Sequence, residues 1–225
     1  QISEVVADLK KSRRIQGHPV RALIIRGAGR AFVAGADVTE FYGSPAARIE
    51  SIALFNIRLF DAIEKLKIPV IALLDGFVLG GGNALAMSAH YRIVTENTRI
   101  GQPEVKLGII PGYGGMQRLP RLVGPVKAAE MSINGEPIDG REALSLGLAD
   151  EFAPAATALL RAFRVAQAMV SGKQKRPRRD WDLIAARQEN PLKRLLSRPP
   201  IREILALSAP SSADAMRALS WVSAS

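Results

Sequence analysis

Two segments in the first third of the chain carry apolar residues at the three- and four-residue spacing of an amphipathic helix. They are SEVVADLKKSRR (residues 3–14) and PAARIESIALFNIRLFDAIEKLK (residues 45–67). The second opens with proline, which is favoured in the first turn of a helix. Because this spacing gathers the apolar side chains on one face, we predict a helix over each segment, packed on a core.

Short, nearly continuous apolar runs predict buried strands between these helices and after them. The runs VRALIIRG (20–27) and IPVIALLDG (68–76) are apolar almost throughout, as in strands covered on both faces. Shorter strands are predicted in YRIVTE (91–96), TRIGQPE (98–104) and LADEF (148–152). We interpret GRAFVAGAD (29–37) as a loop.

Further helices are predicted later in the chain, and they set the fold class. They cover residues 81–91, 114–124, 126–133 and 140–147. Strands that alternate with helices indicate an α/β fold. Beyond Ala153 the pattern is helical only, interrupted by a predicted linker, KQKRPRRD (173–180). We therefore divide the chain into an α/β core (1–153) and a helical region (154–225).

Composition narrows the class of protein. Hydrophobic residues make up 48% and charged residues 23%, which is ordinary for a globular domain. No apolar run reaches the length of a membrane span. The chain lacks cysteine and starts at Gln1 without a signal peptide. We expect a cytoplasmic protein whose true N-terminus lies upstream.

The charge is strongly basic, with 31 Lys and Arg against 21 Asp and Glu, a net +10. Such an excess suits nucleic acid, a membrane surface or a phosphate-bearing ligand. Aromatic residues are only 5% and do not alternate with the basic runs, which disfavours a stacking platform for single strands. A solvated basic helix face is the preferred interpretation, and nucleic acid is not a predicted partner.

The segment DGFVLGGGNALAMSAH (75–90) places three glycines between an apolar run and a helix. Glycine permits close backbone approach, and the first N–H groups of a helix are free to bind an anion. No Lys-Ser/Thr pair follows the glycines, and G-x-G-x-x-G is incomplete, so neither nucleotide motif is present. Taken alone, the glycines indicate no more than a tight structural turn.

Two further motifs indicate that this turn belongs to a catalytic site. The small-residue loop AFVAGAD (31–37) follows the preceding predicted strand, and GQPEVKLGIIPGYGG (101–115) contains one carboxylate, Glu104. Two backbone donors and one carboxylate are what thioester enolate chemistry requires. The donors stabilise an oxyanion and the carboxylate moves a proton.

Four ordered motifs resemble the enoyl-CoA hydratase/isomerase family, the crotonases. They are GRAFVAGADVTEF, IPVIALLDGFVLGGGNALAM, YRIVTENTRIGQPEVKLGIIPGYGGMQRLPRLVG and GREALSLGLADEF. The resemblance as a whole runs from about Val20 to Phe152. The resemblance implies a spiral of repeated ββα units, followed by helices that build trimers or hexamers. It also implies an enzyme of fatty acid metabolism, a lyase or an isomerase, that acts on acyl-CoA thioesters. No metal or other cofactor is implied, because coenzyme A is part of the substrate.

The resemblance also assigns site residues. It implies that the N–H groups of Ala36 and Gly81 form the oxyanion hole and that Glu104 is the catalytic carboxylate. The substrate-binding set that it implies is Ala34, Ala36, Asp37, Val38, Gly80, Gly81, Ala84, Pro103, Glu104 and Gly112. Within this set, Asp37 is also suited to holding its own loop by hydrogen bonds to backbone N–H groups.

This sequence departs from the family pattern at Ala84, where family hydratases carry a second glutamate. We predict that Ala84 lines the cavity opposite Glu104 and leaves a gap there. Losing one positioned acid or base slows a reaction roughly 10²–10⁴-fold, so the residues favour a proton-shuttling isomerase, a divergent hydratase or a hydrolase. The alternatives are an acyl-CoA-binding homologue with little turnover and an RNA-binding crotonase. The family's N-terminal hairpin would lie before Gln1.

Overall fold

The computed structural model describes residues 2–37 and 43–177, and these contain seven α-helices and ten strands. The helices are α1 (Ile2–Ser12), α2 (Ala46–Glu64), α3 (Gly81–Ser88), α4 (Gly115–Val123), α5 (Pro125–Asn134), α6 (Gly140–Ser145) and α7 (Ala155–Val170). The strands are β1 (Arg14–Ile15), β2 (His18–Pro19), β3 (Leu23–Arg26), β4 (Ala31–Val33), β5 (Val70–Leu74), β6 (Phe77–Leu79), β7 (Tyr91–Val94), β8 (Arg99–Gly101), β9 (Ile138–Asp139) and β10 (Glu151–Phe152). A short 3-10 helix spans Pro103–Leu107.

Consecutive strands are shared between two four-stranded sheets. The first sheet has the order β10-β7-β5-β3 and is entirely parallel. The second has the order β4-β6-β8-β9, in which only β9 is antiparallel. Each of the pairs β3–β4, β5–β6 and β7–β8 therefore gives one strand to each sheet, and α2, α3 and α4 follow these pairs in turn. This is the predicted repeat of ββα units.

The bend that moves the chain from one sheet to the other is tight. Gly76 separates β5 from β6 with a φ of +75°, a left-handed conformation that disfavours side chains. A Cβ at this position would lie 2.1 Å from the Arg30 carbonyl oxygen. Only two residues, Asp75 and Gly76, are therefore needed between the end of β5 and the start of β6.

The core has two parts, one on each face of the first sheet. Along β5, alternate side chains face opposite ways: Ile71 and Leu73 pack with α7, while Ala72 and Leu74 join the larger cluster. Helix α7 begins just after the boundary predicted at residue 153 and covers this sheet directly. The other helices predicted for residues 154–225 lie outside the described residues.

The predicted helices of the core are present, but several short strands were not predicted. The segment interpreted as a loop contains β4, and the glycine-rich segment contains β6. The β1–β2 hairpin and β9 are also additional. Strands of two or three residues are too short to show a period-2 pattern. Their conformation is therefore set by pairing with neighbouring strands rather than by the local sequence.

Candidate active site

A cavity of about 540 Å³ opens where the second sheet ends. Ala34 directly follows β4 and Gly80 directly follows β6, so their strands deliver both loops to the same edge. The cavity is lined by Ala34, Gly35, Ala36, Ile49, Ala53, Gly80, Gly81, Pro103, Glu104, Leu107, Gly108, Ile109, Ile110, Gly112 and Tyr113. Ligands of parallel sheets bind at this carboxyl edge of the strands.

The glycine turn is packed closely on both sides. Gly80 has a φ of +54°, and a Cβ there would lie 2.9 Å from Glu104 Oε1. A Cβ on Gly82 would lie only 2.0 Å from the Val33 carbonyl oxygen, which belongs to the neighbouring strand. The first glycine thus leaves room for the carboxylate, and the third lets α3 start against β4.

Two backbone N–H groups lie close to each other at the cavity. A Cβ placed on Gly81 would lie 3.9 Å from the backbone nitrogen of Ala36, and both residues line the cavity. Within residues 2–37 and 43–177, neither N–H donates a hydrogen bond to a protein group. Gly81 is also the first residue of α3, where the helix dipole leaves partial positive charge. Two neighbouring donors without a partner among the described residues therefore lie beside the cavity.

Glu104 sits in the first turn of the 3-10 helix, half-buried beside these donors. Burial raises the pKa of its carboxyl group above the usual value, because a charge is poorly solvated there. The Gln102 side chain is only 1% exposed. With its amide nitrogen turned towards Glu104, it donates to both carboxylate oxygens at 3.1 Å. These hydrogen bonds fix the direction of the carboxylate.

The remaining wall of the cavity is apolar. Ile49 and Ala53 come from one face of α2, and Leu107, Ile109 and Ile110 come from the segment after Glu104. These residues were not predicted, although the four-residue spacing of the α2 pair and the run LGII were visible in the sequence.

Tyr113 closes the cavity next to the glycine turn. Its ring meets Phe60 edge-on, with centroids 6.4 Å apart and an interplanar angle of 74°. A Cβ on Gly81 would come within 2.8 Å of Tyr113 Cδ2, so the ring lies directly over the turn. The wall as a whole suits an apolar group held against the carboxylate and the two N–H donors.

Ala84, which we predicted to line this cavity opposite Glu104, is not among the lining residues. It is 2% exposed and belongs to the larger core cluster. Every residue of α3 after Gly81 is buried, so Ala84 lies deeper in the molecule than the start of the helix. The gap that we predicted opposite Glu104 stays a prediction.

Other predicted residues are distributed as follows. Ala34, Pro103 and Gly112 line the cavity as predicted. Asp37 is exposed and is not part of the lining. Val38 lies outside the described residues. The roles assigned to all of these remain predictions.

Two polar residues, His90 and Arg118, make contacts within the scaffold. His90 Nδ1 accepts a hydrogen bond from the Val70 N–H at 2.9 Å, and its Nε2 lies 2.9 Å from the Glu64 carbonyl oxygen. This arrangement fits a neutral ring with its proton on Nε2. The buried Arg118 pairs with Asp61 and with Glu64, the latter at 3.2 Å, and so ties α4 to α2.

Comparison with known proteins identifies the family. The model described as "Enoyl-CoA hydratase/isomerase" matches residues 2–195. A "Probable enoyl-CoA hydratase" of Bacillus subtilis is 50% identical over 130 residues, which are 57% of this chain and 50% of that protein. A "Crotonyl-CoA hydratase" of Syntrophomonas wolfei is 44% identical over 133 residues, 59% of this chain and 51% of that protein.

A solved structure agrees with the sequence comparisons. Enoyl-CoA hydratase from Bacillus anthracis superposes with a TM-score of 0.69 at 33% identity, covering 76% of this chain and 66% of that one. The chain belongs to the enoyl-CoA hydratase/isomerase family. It spans about half the length of the curated relatives described above. Among the described residues, no helix combines the length and apolarity needed to cross a membrane.

Proposed function

We propose that this chain processes acyl-CoA thioesters, with the N–H groups of Ala36 and Gly81 stabilising a thioester enolate and Glu104 moving the proton. The observation that carries the proposal is the position of Glu104. Its half-buried carboxylate lies against the glycine turn, in the cavity that also contains the two unused N–H donors. Coenzyme A enters as part of the substrate, and we propose no other cofactor.

The chemistry follows from these groups. Removing a proton next to a thioester carbonyl puts negative charge on the carbonyl oxygen, and preorganised N–H donors lower the energy of that charge. A carboxylate whose pKa is raised by burial is a stronger base than a solvated one, so it is better matched to a weakly acidic carbon. The apolar wall formed by Ile49, Leu107 and Ile110 suits the acyl group.

Double-bond isomerisation is the reaction that this site supports best. Glu104 is the only carboxylate among the described residues that line the cavity. One carboxylate can take a proton from one carbon and return it to another, whereas the family's hydration pattern uses two. Water addition is the second candidate, because the relatives described above are called hydratases.

A panel of enoyl-CoA thioesters tests the proposal, with water addition and double-bond movement followed separately. We expect Glu104→Gln to lower turnover by roughly 10²–10⁴-fold while thioester affinity changes little, because the amide keeps the shape and loses the base. Glu130→Gln, an exposed glutamate on α5, is the matched control. Full activity in Glu104→Gln would refute the mechanism. Thioester binding without turnover in the unmodified chain would instead identify an acyl-CoA-binding homologue.

We also propose that the protein assembles as a trimer or a pair of trimers. On α7, Leu160 is 53% exposed and Phe163 is 58% exposed. Exposed large apolar side chains on one helix are typical of a surface that is covered in an assembly.

A further inference from the structure

A second cavity lies at the other end of the parallel sheet and is strongly basic. Its volume is about 740 Å³. Six of its lining side chains are cationic, and none of the described residues that line it is a carboxylate. The lining residues are Ser12, Arg13, Arg14, Pro19, Val20, Arg21, Lys67, Ile68, Pro69, Met169, Val170, Gly172, Gln174, Lys175 and Arg176. We refer to this cavity as the basic cleft.

The basic cleft is separate from the candidate active site. Pro69 directly precedes β5, and Arg21 comes shortly before β3, so the cleft lies at the amino ends of these strands. The candidate active site lies at the opposite, carboxyl edge of the strands. The ends of α1 and α7 form its sides. The two cavities have no lining residue in common. A ligand of the cleft would therefore not touch Glu104.

The positive charge of the cleft is not neutralised by the described part of the chain. No ion pair within residues 2–37 and 43–177 involves Arg13, Arg21, Lys67 or Lys175. Like charges gathered around one cleft repel each other, and the low-dielectric wall strengthens the field. An anion that entered would relieve this repulsion.

Arg176 is held in place as a preformed cation. Its guanidinium donates to the carbonyl oxygen of Leu66 at 3.0 Å and also to that of Lys67. These acceptors are neutral, so they fix the group without cancelling its charge. Burial lowers the pKa of Arg176, but an arginine remains charged at neutral pH.

The opposite side of the cleft has an unusual backbone. Arg13 and Gln16 adopt φ values of 51° and 48°, which are uncommon for residues other than glycine. The Arg14 Nε donates to the Gly17 carbonyl oxygen at 2.8 Å and closes the same short turn. The hairpin thus holds two consecutive arginines at the rim, and backbone strain of this kind tends to persist at binding sites.

We propose that the basic cleft binds a polyphosphate anion, either inorganic or as part of a nucleoside polyphosphate. Several fixed cations match a ligand with several linked negative groups, and Arg and Lys are the usual phosphate-binding residues. The volume falls within the range of small-molecule sites. The described residues that line the cleft include no aromatic side chain and so offer no platform for base stacking, and the observations favour phosphates over single-stranded nucleic acid.

Isothermal titration calorimetry of the whole chain with inorganic triphosphate, and separately with ATP, tests this proposal. We expect both to bind at low ionic strength and to weaken as salt rises. Arg21→Gln/Lys67→Gln should weaken triphosphate binding about tenfold or more, since it removes two charged partners. Arg58→Gln/Arg164→Gln removes the same charge from exposed positions elsewhere and should change affinity less than about twofold.

Three results would overturn the proposal. One is the absence of triphosphate binding to the unmodified chain, and another is equal weakening by the two double variants. The third is binding of a single-stranded RNA oligonucleotide that triphosphate does not displace. Because the cleft lies apart from Glu104, enoyl-CoA turnover should be the same in both double variants, so the result is independent of the proposed catalytic function. Single Lys67→Gln provides the same comparison if the double variant folds poorly.

Discussion

Two opposing effects act on the carboxyl group of Glu104. Burial beside the glycine turn favours the neutral acid, while a backbone hydrogen bond favours the carboxylate. The Gln102 amide adds to the second effect when its nitrogen faces Glu104. A general base has to be ionised before it can accept a proton. The balance of these two effects therefore sets the lowest pH at which the proposed reaction can run.

The rate of the proposed reaction should fall on the acid side at a higher pH than a solvated glutamate would dictate. The pKa of Glu104 is raised, so the active carboxylate is lost sooner as pH decreases. The measurement is the pH dependence of kcat/KM on any active thioester, which reports groups of the free enzyme. An acid limb at the usual pKa of a solvated glutamate, with Glu104→Gln inactive, would contradict this prediction.

Gln102→Leu should move the acid limb to still higher pH. Leucine has a similar size but cannot donate a hydrogen bond to the carboxylate. The ionised form of Glu104 is therefore less stabilised, and the pKa of Glu104 rises further. The variant should also lower kcat at the pH optimum, because the carboxylate loses its fixed direction. Gln117→Leu, at an exposed glutamine on α4, serves as the control and should leave the pH profile unchanged.

Ala84→Glu should destabilise the fold rather than add a second catalytic acid. The position is 2% exposed and enclosed by the core, where a longer charged side chain overpacks and loses its hydration. We expect a loss of about 2 kcal/mol or more in the free energy of unfolding, measured by urea denaturation. Ala156→Glu, on the exposed face of α7, should cost less than about 0.5 kcal/mol. Unchanged stability together with faster hydration would show that this side chain reaches the cavity.

Among the elements, β7 depends on a buried cation. Arg92 is fully buried on this strand; its Nε donates to the Leu148 carbonyl oxygen and its guanidinium pairs with Asp150 at 3.1 Å. Asp150 also accepts a hydrogen bond from the Arg92 N–H at 2.8 Å. These contacts attach the segment before β10 to the first sheet.

Arg92→Ala should lower the free energy of unfolding by roughly 3–5 kcal/mol, because it removes the cation that pairs with the Asp150 carboxylate and opens a cavity. Lys127→Ala removes ion pairs to Glu130 and Glu142 that are largely solvated, and should cost about 1 kcal/mol or less. Urea denaturation of both variants checks the difference. Equal losses would mean that the buried pair contributes no more than a surface pair.

Long helices and strands could be predicted from the sequence, whereas very short strands could not. The amphipathic pattern of α2 runs over five turns, and β5 is an unbroken apolar run, so both were predicted. By contrast, β4, β6 and β9 have only two or three residues. Their conformation is imposed by neighbouring strands, and no local pattern could reveal it.

For the candidate site, the sequence predicted which residues carry the chemical groups better than it predicted where each residue lies in the fold. The motifs identified Ala36, Gly81 and Glu104, and the fold brings all three to one cavity. Motif spacing says nothing about depth, so it could not show that Ala84 is almost fully buried. It also says little about the apolar wall, since Ile49 and Ile110 look like ordinary hydrophobic residues until the helices are packed.

For the whole molecule, the exposed apolar face of α7 predicts self-association. The double variant Leu160→Asp/Phe163→Asp should shift the proposed trimer or hexamer towards monomer, because charges cannot be buried in the interface without a partner. Ala7→Asp/Lys11→Asp adds acidic groups at exposed positions of a different helix, α1, and is the control. Sedimentation velocity measures the outcome. A monomeric unmodified chain at micromolar concentration would contradict the proposed assembly.

The packing of the glycine turn also bears on how such a protein can evolve. Gly82 is required by the approach of α3 to Val33, whatever reaction the cavity supports. Selection for folding alone would therefore preserve this glycine in a descendant that had lost all catalysis. Glu104 does not have a comparable role in packing the core, so substitutions at this position would be tolerated once catalysis was no longer selected. The presence of Glu104 is therefore better evidence than the presence of the glycines that a protein is still under selection for catalysis.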